Sequence, residues 1–333
     1  MPSAQYVTAV ELCSVDLTLQ IISDPWSFLI LRELWFGLKK FDEFQATLKI
    51  PRATLTNRLK SLTEANLLKR VPIKVGGKRC EYRLTEMGDD LYPVMISMMR
   101  WGDKWRKPDA GVPLKLTHRT CGKRLVADVV YDCCNTAVSP FEVTYTDGPG
   151  AKLVPITTGL PTNRVANQEK FSEPRECSVA KTLQSMGDRW SILLIRELFF
   201  GRHTFDLIQS QIGISTNILS DRIKLLISSG LIEKSSQQAN RNRYEYHLTK
   251  SGLDLYPIFL ALKQWGDRWL KFPKGIPLSL IHDGCEKNFS PKIVCQKCGG
   301  SISSKDVYYE YGPGWDVRQG EEVLQSKMKY FKD

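Results

Sequence analysis

The chain carries one pattern twice. Cys13-Ser14-Val15 returns as Cys177-Ser178-Val179, Trp26-Ser27 as Trp190-Ser191 and Arg32-Glu33-Leu34 as Arg196-Glu197-Leu198, always 164 residues later. Of the 25 positions in 13–37, 15 are identical to their counterparts in 177–201. The same offset carries Trp101-Gly102-Asp103 onto Trp265-Gly266-Asp267, His118 onto His282 and Gly148-Pro149-Gly150 onto Gly312-Pro313-Gly314. An offset kept this far without insertion means that both copies must fold alike, so the 333 residues form two equivalent halves rather than one large domain.

Composition fits that division. With 42% hydrophobic and 25% charged residues the chain can bury cores and is not a disordered polymer. Lys plus Arg number 47 against 36 Asp plus Glu, a net charge of +11. The surplus is shared as +6 over 1–166 and +5 over 167–333, so both halves could face one polyanion. No apolar run approaches the roughly 20 residues of a spanning helix, and Met1-Pro2-Ser3-Ala4-Gln5-Tyr6 does not open a secretory signal. Nine cysteines, an odd number in a chain with ample core residues, favour reduced thiols over a disulfide framework. The expectation is a cytoplasmic protein with no membrane partner. No phosphate-binding glycine loop, nucleophile elbow or paired-carboxylate motif is present, so an enzyme is not expected.

Local signals give the elements. Asp24 can cap a helix with Pro25 at its first position, Trp26, Leu29, Ile30 and Leu34 form one stripe, and Gly37 ends it. A short helix at 41–48, a three-residue turn and a helix at 52–65 with Leu55, Leu59 and Leu62 inward have helix-turn-helix spacing. Strands at 67–71 and 79–84 flank Gly76-Gly77 as a hairpin, the wing. Thr85 is expected to cap a long helix reaching Trp105, with Pro93 kinking or breaking it. Trp101 and Trp105, like Trp265 and Trp269, share a helix face that serves either core packing or pairing.

These residues resemble the HxlR family of bacterial winged helix-turn-helix regulators. The second copy carries the pattern closely: Gly187-Asp188-Arg189-Trp190, Ile195-Arg196-Glu197-Leu198, Phe205-Asp206, Leu219-Ser220-Asp221-Arg222-Ile223, Gly230-Leu231-Ile232, Tyr246-His247-Leu248-Thr249 and Trp265-Gly266. The first copy departs where Ser23 and Pro25 replace Gly187 and Arg189, and where Asn66 replaces Gly230. The resemblance implies a transcription regulator that reads operator DNA. It implies self-association through the first and last helices of each unit, here available as an intramolecular pseudo-dimer on a pseudo-palindromic operator. The expected class is α+β, predominantly α: two winged helix-turn-helix domains, each followed by a small β-rich, zinc-ribbon-like extension. The boundaries are 1–110 for the first winged helix, 111–150 for its extension and 151–173 for a linker. The second winged helix takes 174–274, its extension 275–314 and a tail 315–333.

Double-stranded DNA is the expected partner. A recognition helix reads base edges from its outward face, where Arg52, Thr56, Asn57 and Lys60 lie in the first copy and Thr216, Asn217, Ser220 and Lys224 in the second. Arg52 suits guanine, Asn57 and Asn217 suit adenine, and Arg58, Arg222, Lys60 and Lys224 suit phosphates. Asp221 on the same face would repel phosphate. Lys78 and Arg79 in one wing, and Arg241 and Arg243 in the other, are candidates for backbone or minor-groove contact. Unlike recognition helices predict an operator with unlike halves, and a repressor is the preferred role. The alternative is a winged-helix interaction scaffold with a structural zinc site and no DNA binding.

Two further features lie outside the winged helix. His282 and Cys285, then Cys295 and Cys298, form two close pairs at the spacing of a tetrahedral zinc site, and the expectation is one structural zinc held by these four. In the first copy the equivalents are His118, Cys121 and Cys134, with Tyr131 where a fourth ligand belongs. That copy either uses Cys133 at a distorted site or has lost the metal. Cys13 and Cys177 precede the first helix of each copy, where redox-sensing family members carry a reactive thiol. The helix macrodipole favours thiolate there, and the competing reading is a buried packing cysteine. An oxidant or small-molecule effector is the corresponding expected partner.

Overall fold

The computed structural model describes residues 9–22, 24–74, 79–155, 176–237 and 240–315. In the first repeat, strand β1 (Ala9–Glu11) and helix α1 (Ser14–Ile21) precede α2 (Pro25–Trp35), α3 (Phe41–Leu48) and α4 (Arg52–Glu64). The hairpin β2 (Leu68–Pro72) and β3 (Cys80–Leu84), then α5 (Glu86–Asp89) and α6 (Tyr92–Trp105), complete the winged helix. Strands β4 (Leu114–His118), β5 (Ala127–Tyr131), β6 (Val143–Asp147) and β7 (Leu153–Pro155) follow. The second repeat runs α7 (Ser178–Met186), α8 (Arg189–Phe199), α9 (Phe205–Ile212), α10 (Thr216–Ser228), β8 (Ile232–Gln237), β9 (Asn240–Leu248), α11 (Lys250–Leu253) and α12 (Tyr256–Trp269). It ends with β10 (Leu278–His282), β11 (Lys287–Asn288), β12 (Pro291–Cys295) and β13 (Val307–Tyr311). Among the described residues no helix is long and apolar enough to cross a membrane.

The local signals have direct causes. Asp24 accepts from the Ser27 amide at 3.2 Å and Asp188 from the Ser191 amide at 3.2 Å, opening α2 and α8. Leu55, Leu59 and Leu62 of α4 are buried, as are Leu219, Ile223 and Leu226 of α10, each worth about 1.5–3 kcal/mol on leaving water. The segment expected to be one long helix kinked or broken at Pro93 is broken: Thr85 caps only α5, accepting from the Gly88 amide at 3.0 Å, and α6 begins at Tyr92 with Pro93 in its first turn. The departure at Asn66 is conformationally harmless: it adopts φ 59° where Gly230 adopts φ 67°, a left-handed geometry that asparagine tolerates. The expected Gly76-Gly77 turn lies outside the described residues.

These elements do not pack repeat by repeat. One compact unit, here the α4 unit, comprises 21–130, 169–183 and 292–333; the other, the α10 unit, comprises 184–291, 1–20 and 131–168. Each unit is one repeat's winged helix completed by the other repeat's first helix and by strands of its extension. In the α4 unit β13 pairs antiparallel with β4, Val307 opposite His118 and Tyr311 opposite Leu114. In the α10 unit β6 pairs antiparallel with β10, Val143 opposite His282 and Asp147 opposite Leu278. The consecutive partition expected from sequence follows the repeat, whereas the packing exchanges these pieces. The expected linker also starts late, because 153–155 pair with 9–11 as β7 and β1. Its remainder, 156–173, and residues 316–333 of the tail lie outside the described residues.

The helix exchange rests on close approach. A Cβ on Gly102 of α6 would lie 2.3 Å from the Ser178 carbonyl oxygen of α7, so only glycine allows the contact. The Thr182 hydroxyl bridges the pair, donating to the Met98 carbonyl at 2.8 Å. The α10 unit repeats this with Gly266 of α12 against α1: a Cβ there would lie 2.7 Å from the Ser14 carbonyl, and Thr18 donates to Leu262 at 3.3 Å. Trp101 and Trp265 are buried core residues on these last helices, while Trp105 and Trp269 are half-buried.

One difference between the copies sets a pH dependence. Ser14 donates to Asp267, which also pairs with Lys263 at 2.5 Å. In the α4 unit Ser178 donates to Asp103, but the residue at the lysine position is Met99. Burial therefore dominates and pushes Asp103 up to about 6, against the lowering pull of the Ser178 hydrogen bond and of Arg124 and Lys107. A carboxyl raised in the folded state favours folding when protonated, so its contribution is complete below its unfolded value of 3.8 and is lost as pH rises through about 6. Asp103→Asn keeps an acceptor for Ser178 and is expected to flatten the fall in urea midpoint between about pH 4 and pH 7. Equal slopes in both proteins would exclude this role.

Candidate nucleic-acid interface and cysteine-histidine centres

Each recognition helix is fixed by its inward leucines and presents the opposite side to solvent. On α4, Arg52, Thr56, Asn57 and Lys60 are exposed, with the Arg52 guanidinium 4.9 Å above the Phe41 ring. On α10, Thr216, Asn217, Asp221 and Lys224 are exposed and Ser220 is half-buried. Ser215 caps α10 through the Ile218 amide at 3.5 Å, and Gln209 donates to Thr216 at 3.0 Å, orienting the first turn. Asp221 lies 3.9 Å from Lys224, an exposed pair that offsets its own charge locally.

Arg58 and Arg222, expected from sequence to meet phosphates, both pair with aspartates of the preceding helix caps. Arg222 is 8% exposed, and its Nε donates to both Asp188 oxygens at 3.0 Å while Nη2 donates at 2.7 Å. Arg58 Nε stands 3.0 Å from an Asp24 oxygen as an ion pair without a hydrogen bond, and its side chain is 31% exposed. The aspartates that cap α2 and α8 thus also clamp the recognition helices. Sequence alone assigned these arginines phosphates as partners, but each lies over a carboxylate 34 residues earlier in sequence. In the wings Arg79 and Lys74 are exposed. Lys78 lies outside the described residues, as do the side chains of Arg241 and Arg243 on β9.

The candidate metal ligands assemble differently from the sequence grouping. His282 and Cys285 meet Cys133 and Cys134, while Cys295 and Cys298 meet His118 and Cys121; within each group the donor atoms all lie within 4.8 Å of one another. Expecting His282, Cys285, Cys295 and Cys298 in one site was wrong because the extension strands are exchanged: β12 pairs with β5 and β10 with β6. In the α4 unit His118 Nδ1 lies 3.5 Å from Cys121 Sγ and 3.3 Å from Cys298 Sγ. In the α10 unit His282 Nδ1 lies 3.6 Å from Cys133 Sγ and 3.7 Å from Cys134 Sγ, and the two sulfurs are 4.0 Å apart. Hydrogen bonding within the clusters splits the thiols. The Lys123 backbone amide chiefly holds Cys121 down at about 7, whereas its hydrogen bond with Cys133 chiefly pushes Cys285 up to about 12. Three sulfurs and an imidazole at such distances could hold a metal ion in either group.

Cys13 and Cys177 each precede a helix, their carbonyls accepting from Leu17 and Lys181. Cys177 is buried, and its sulfur accepts from Arg32 Nη1 at 2.8 Å. Cys13 is half-buried and lines an apolar pocket in the α10 unit with Tyr145, Arg196, Phe200, Tyr256 and Lys263. A more polar space continues past Cys13, Arg196 and Phe200 toward Lys152 and Asp147. Sequence reasoning missed this pocket, since its walls come from both repeats. In the α4 unit Met99 and Trp315 line the corresponding space.

The clamp is testable apart from any DNA contact. Arg222→Ala strands the half-buried Asp188 carboxylate and is expected to cost about 2–4 kcal/mol in urea unfolding, whereas Lys224→Ala stays within about 0.5 kcal/mol. Equal, small effects would place Arg222 in solvent.

Comparison with known proteins agrees with this architecture. A relative in Mycobacterium tuberculosis, described as an uncharacterized HTH-type transcriptional regulator, is 36% identical over 141 residues, 42% of this chain and 89% of that protein. The Bacillus subtilis protein YdeP, of the same description, is 37% identical over 97 residues, 29% of this chain and 76% of its own length. The family profile described as HxlR-like helix-turn-helix matches residues 21–110 and 185–273, more than half of the chain. The chain therefore belongs to the HxlR-like helix-turn-helix family, a family of transcriptional regulators and not of enzymes.

Proposed function

We propose that the chain is a cytoplasmic, sequence-specific DNA-binding repressor in which α4 and α10 each enter a major groove. The observation that carries this reading is the pair of rigidly buried helices whose solvent faces offer Arg52, Thr56, Asn57 and Lys60, and Thr216, Asn217 and Lys224. Arg52 has the fork geometry for guanine O6 and N7, Asn57 and Asn217 have the donor and acceptor pair for adenine, and Lys60 and Lys224 neutralise phosphates. Because the two helices carry different side chains, the two operator halves differ in sequence. Arg79 and Lys74 extend the basic surface at the α4 unit's wing. The Cys/His groups hold zinc as a structural ion, which suits their sulfur and imidazole donors.

Regulation acts through Cys13. Both helix-start cysteines line a pocket, but Cys13 is half-buried, whereas Cys177 is buried and its sulfur accepts from Arg32. An electrophile or oxidant reaching Cys13 alters the contact of α1 with α12 and thereby the α10 unit.

Fluorescence anisotropy on operator duplexes tests the DNA reading. Lys60→Ala and Lys224→Ala are each expected to reduce the slope of log affinity against log salt by about 0.9 while lowering affinity for all sequences. Arg52→Ala is expected to relax discrimination at one base pair by about 1–3 kcal/mol. Duplex binding that ignores salt and all three substitutions would favour an interaction scaffold instead. For the thiol, a mild alkylating agent should label Cys13 but not Cys177 in the folded protein and release DNA, with Cys13→Ser resistant. Release that persists in Cys13→Ser removes that cysteine from regulation.

A further inference from the structure

We infer that the chain carries two zinc ions, each held jointly by both repeats, and that the ion in the α10 unit is the more readily exchanged. The inference rests on the zinc reading above and deepens it. With Zn–S near 2.3 Å and Zn–N near 2.0–2.1 Å, a tetrahedral centre sets nitrogen-to-sulfur edges at about 3.6 Å and sulfur-to-sulfur edges at about 3.8 Å. The distances from His118 Nδ1, 3.3 and 3.5 Å, and from His282 Nδ1, 3.6 and 3.7 Å, fall on those edges, as does the 4.0 Å between Cys133 and Cys134. Each group offers three sulfurs and one imidazole, a complete shell with no position left open for a substrate.

The backbone argues the same way. All four ligand-bearing loops make one turn, in which the amide four residues on donates back at 2.8 Å: Gly122 to His118, Asn135 to Tyr131, Glu286 to His282 and Gly299 to Cys295. The donor residue is left-handed every time, with φ 64°, 59°, 53° and 70° respectively. Asn135 tolerates this geometry, but Glu286 does not favour it, so at His282 the turn is kept even where the side chain resists it. Such a turn aims residues one and four at a common point, as in a zinc knuckle.

The two centres are not equivalent. In the α4 unit both loops supply residues one and four: His118 with Cys121, and Cys295 with Cys298. In the α10 unit His282 and Cys285 do so, but the facing loop has Tyr131 at position one, stacked on the His282 ring at 3.8 Å. Its sulfurs come instead from the adjacent Cys133 and Cys134, neither of them buried, so His282 alone of its four ligands is buried, whereas His118 and Cys295 both are in the α4 unit. With fewer buried ligands around it, this ion lies nearer to solvent, where a chelator can reach the metal and displace a thiolate. This centre therefore releases its ion first, its thiols taking up protons as the metal leaves.

The test uses the full-length protein. Elemental analysis is expected to find two zinc ions per chain, with Cys121→Ser and Cys134→Ser each lowering the count by about one. Challenge with a chromogenic chelator is expected to give an early and a late phase; Cys134→Ser abolishes the early phase and Cys121→Ser the late one. Cobalt titration of the metal-stripped wild-type chain gives the same stoichiometry without substitutions, its thiolate charge-transfer band saturating at two equivalents. A chain that binds neither zinc nor cobalt overturns this inference and the zinc reading together. A single zinc lost in Cys298→Ser but retained in Cys121→Ser leaves the zinc reading standing and overturns the shared arrangement. Two ions leaving in one phase overturn the inequality.

Discussion

Everything else in the molecule depends on how closely the last helix of one repeat can approach the first helix of the other. At Gly102 and Gly266 a single carbon would collide with the carbonyl oxygens of Ser178 and Ser14. The missing side chain lets Thr182 and Thr18 reach carbonyls on the facing helix. That contact brings the helix-start cysteines against the Arg32 and Arg196 region of the facing winged helix. Strand pairing then extends the exchange. Once β13 lies on β4 and β10 on β6, the cysteine and histidine loops at their ends have no partner except the loop from the other repeat.

The winged helix itself is held by a second, smaller device. Asp24 and Asp188 each cap a helix and, with the remaining charge, hold Arg58 or Arg222 of the recognition helix. A carboxylate that serves two elements fixes the angle between them, because moving either helix would cost an ion pair in a partly buried site. Rigid placement matters for base reading, where side chains must arrive at fixed positions along the groove. The arginines lost to the clamp leave Arg52, Lys60 and Lys224 as the cations of the exposed faces.

How much of this was legible depends on whether the cause was local. Caps, helical periods and turn residues act within a few positions, and the helix at 41–48 and the buried Leu55, Leu59 and Leu62 follow from them directly. Cysteine and histidine are scarce enough that all eight ligands stood out from sequence alone. What sequence could not reveal is which half of each contact meets which. In a duplicated chain every repeat carries both sides of each interface, so pairing within a repeat and pairing across repeats obey the same pattern of residues. Grouping His282 and Cys285 with Cys295 and Cys298 assumed the nearer solution. The pairing of Arg222 was missed for a related reason, since its partner Asp188 is remote in sequence.

Fusion of the two copies then changes what a substitution can do. In an assembly of identical chains, a Tyr in place of a knuckle cysteine would spoil every centre at once. Here Tyr131 belongs to the first repeat, yet it alters only the centre in the α10 unit, while His118, Cys121, Cys295 and Cys298 keep the regular geometry. Met99 in place of the lysine at 263 likewise acts on one unit alone, leaving Asp103 without the cation that Asp267 has. Trp315, which lines the space beside Cys177, has Ala151 as its counterpart near Cys13, so the two spaces differ in one large side chain. Because each unit draws on both repeats, every such change is registered in one place only.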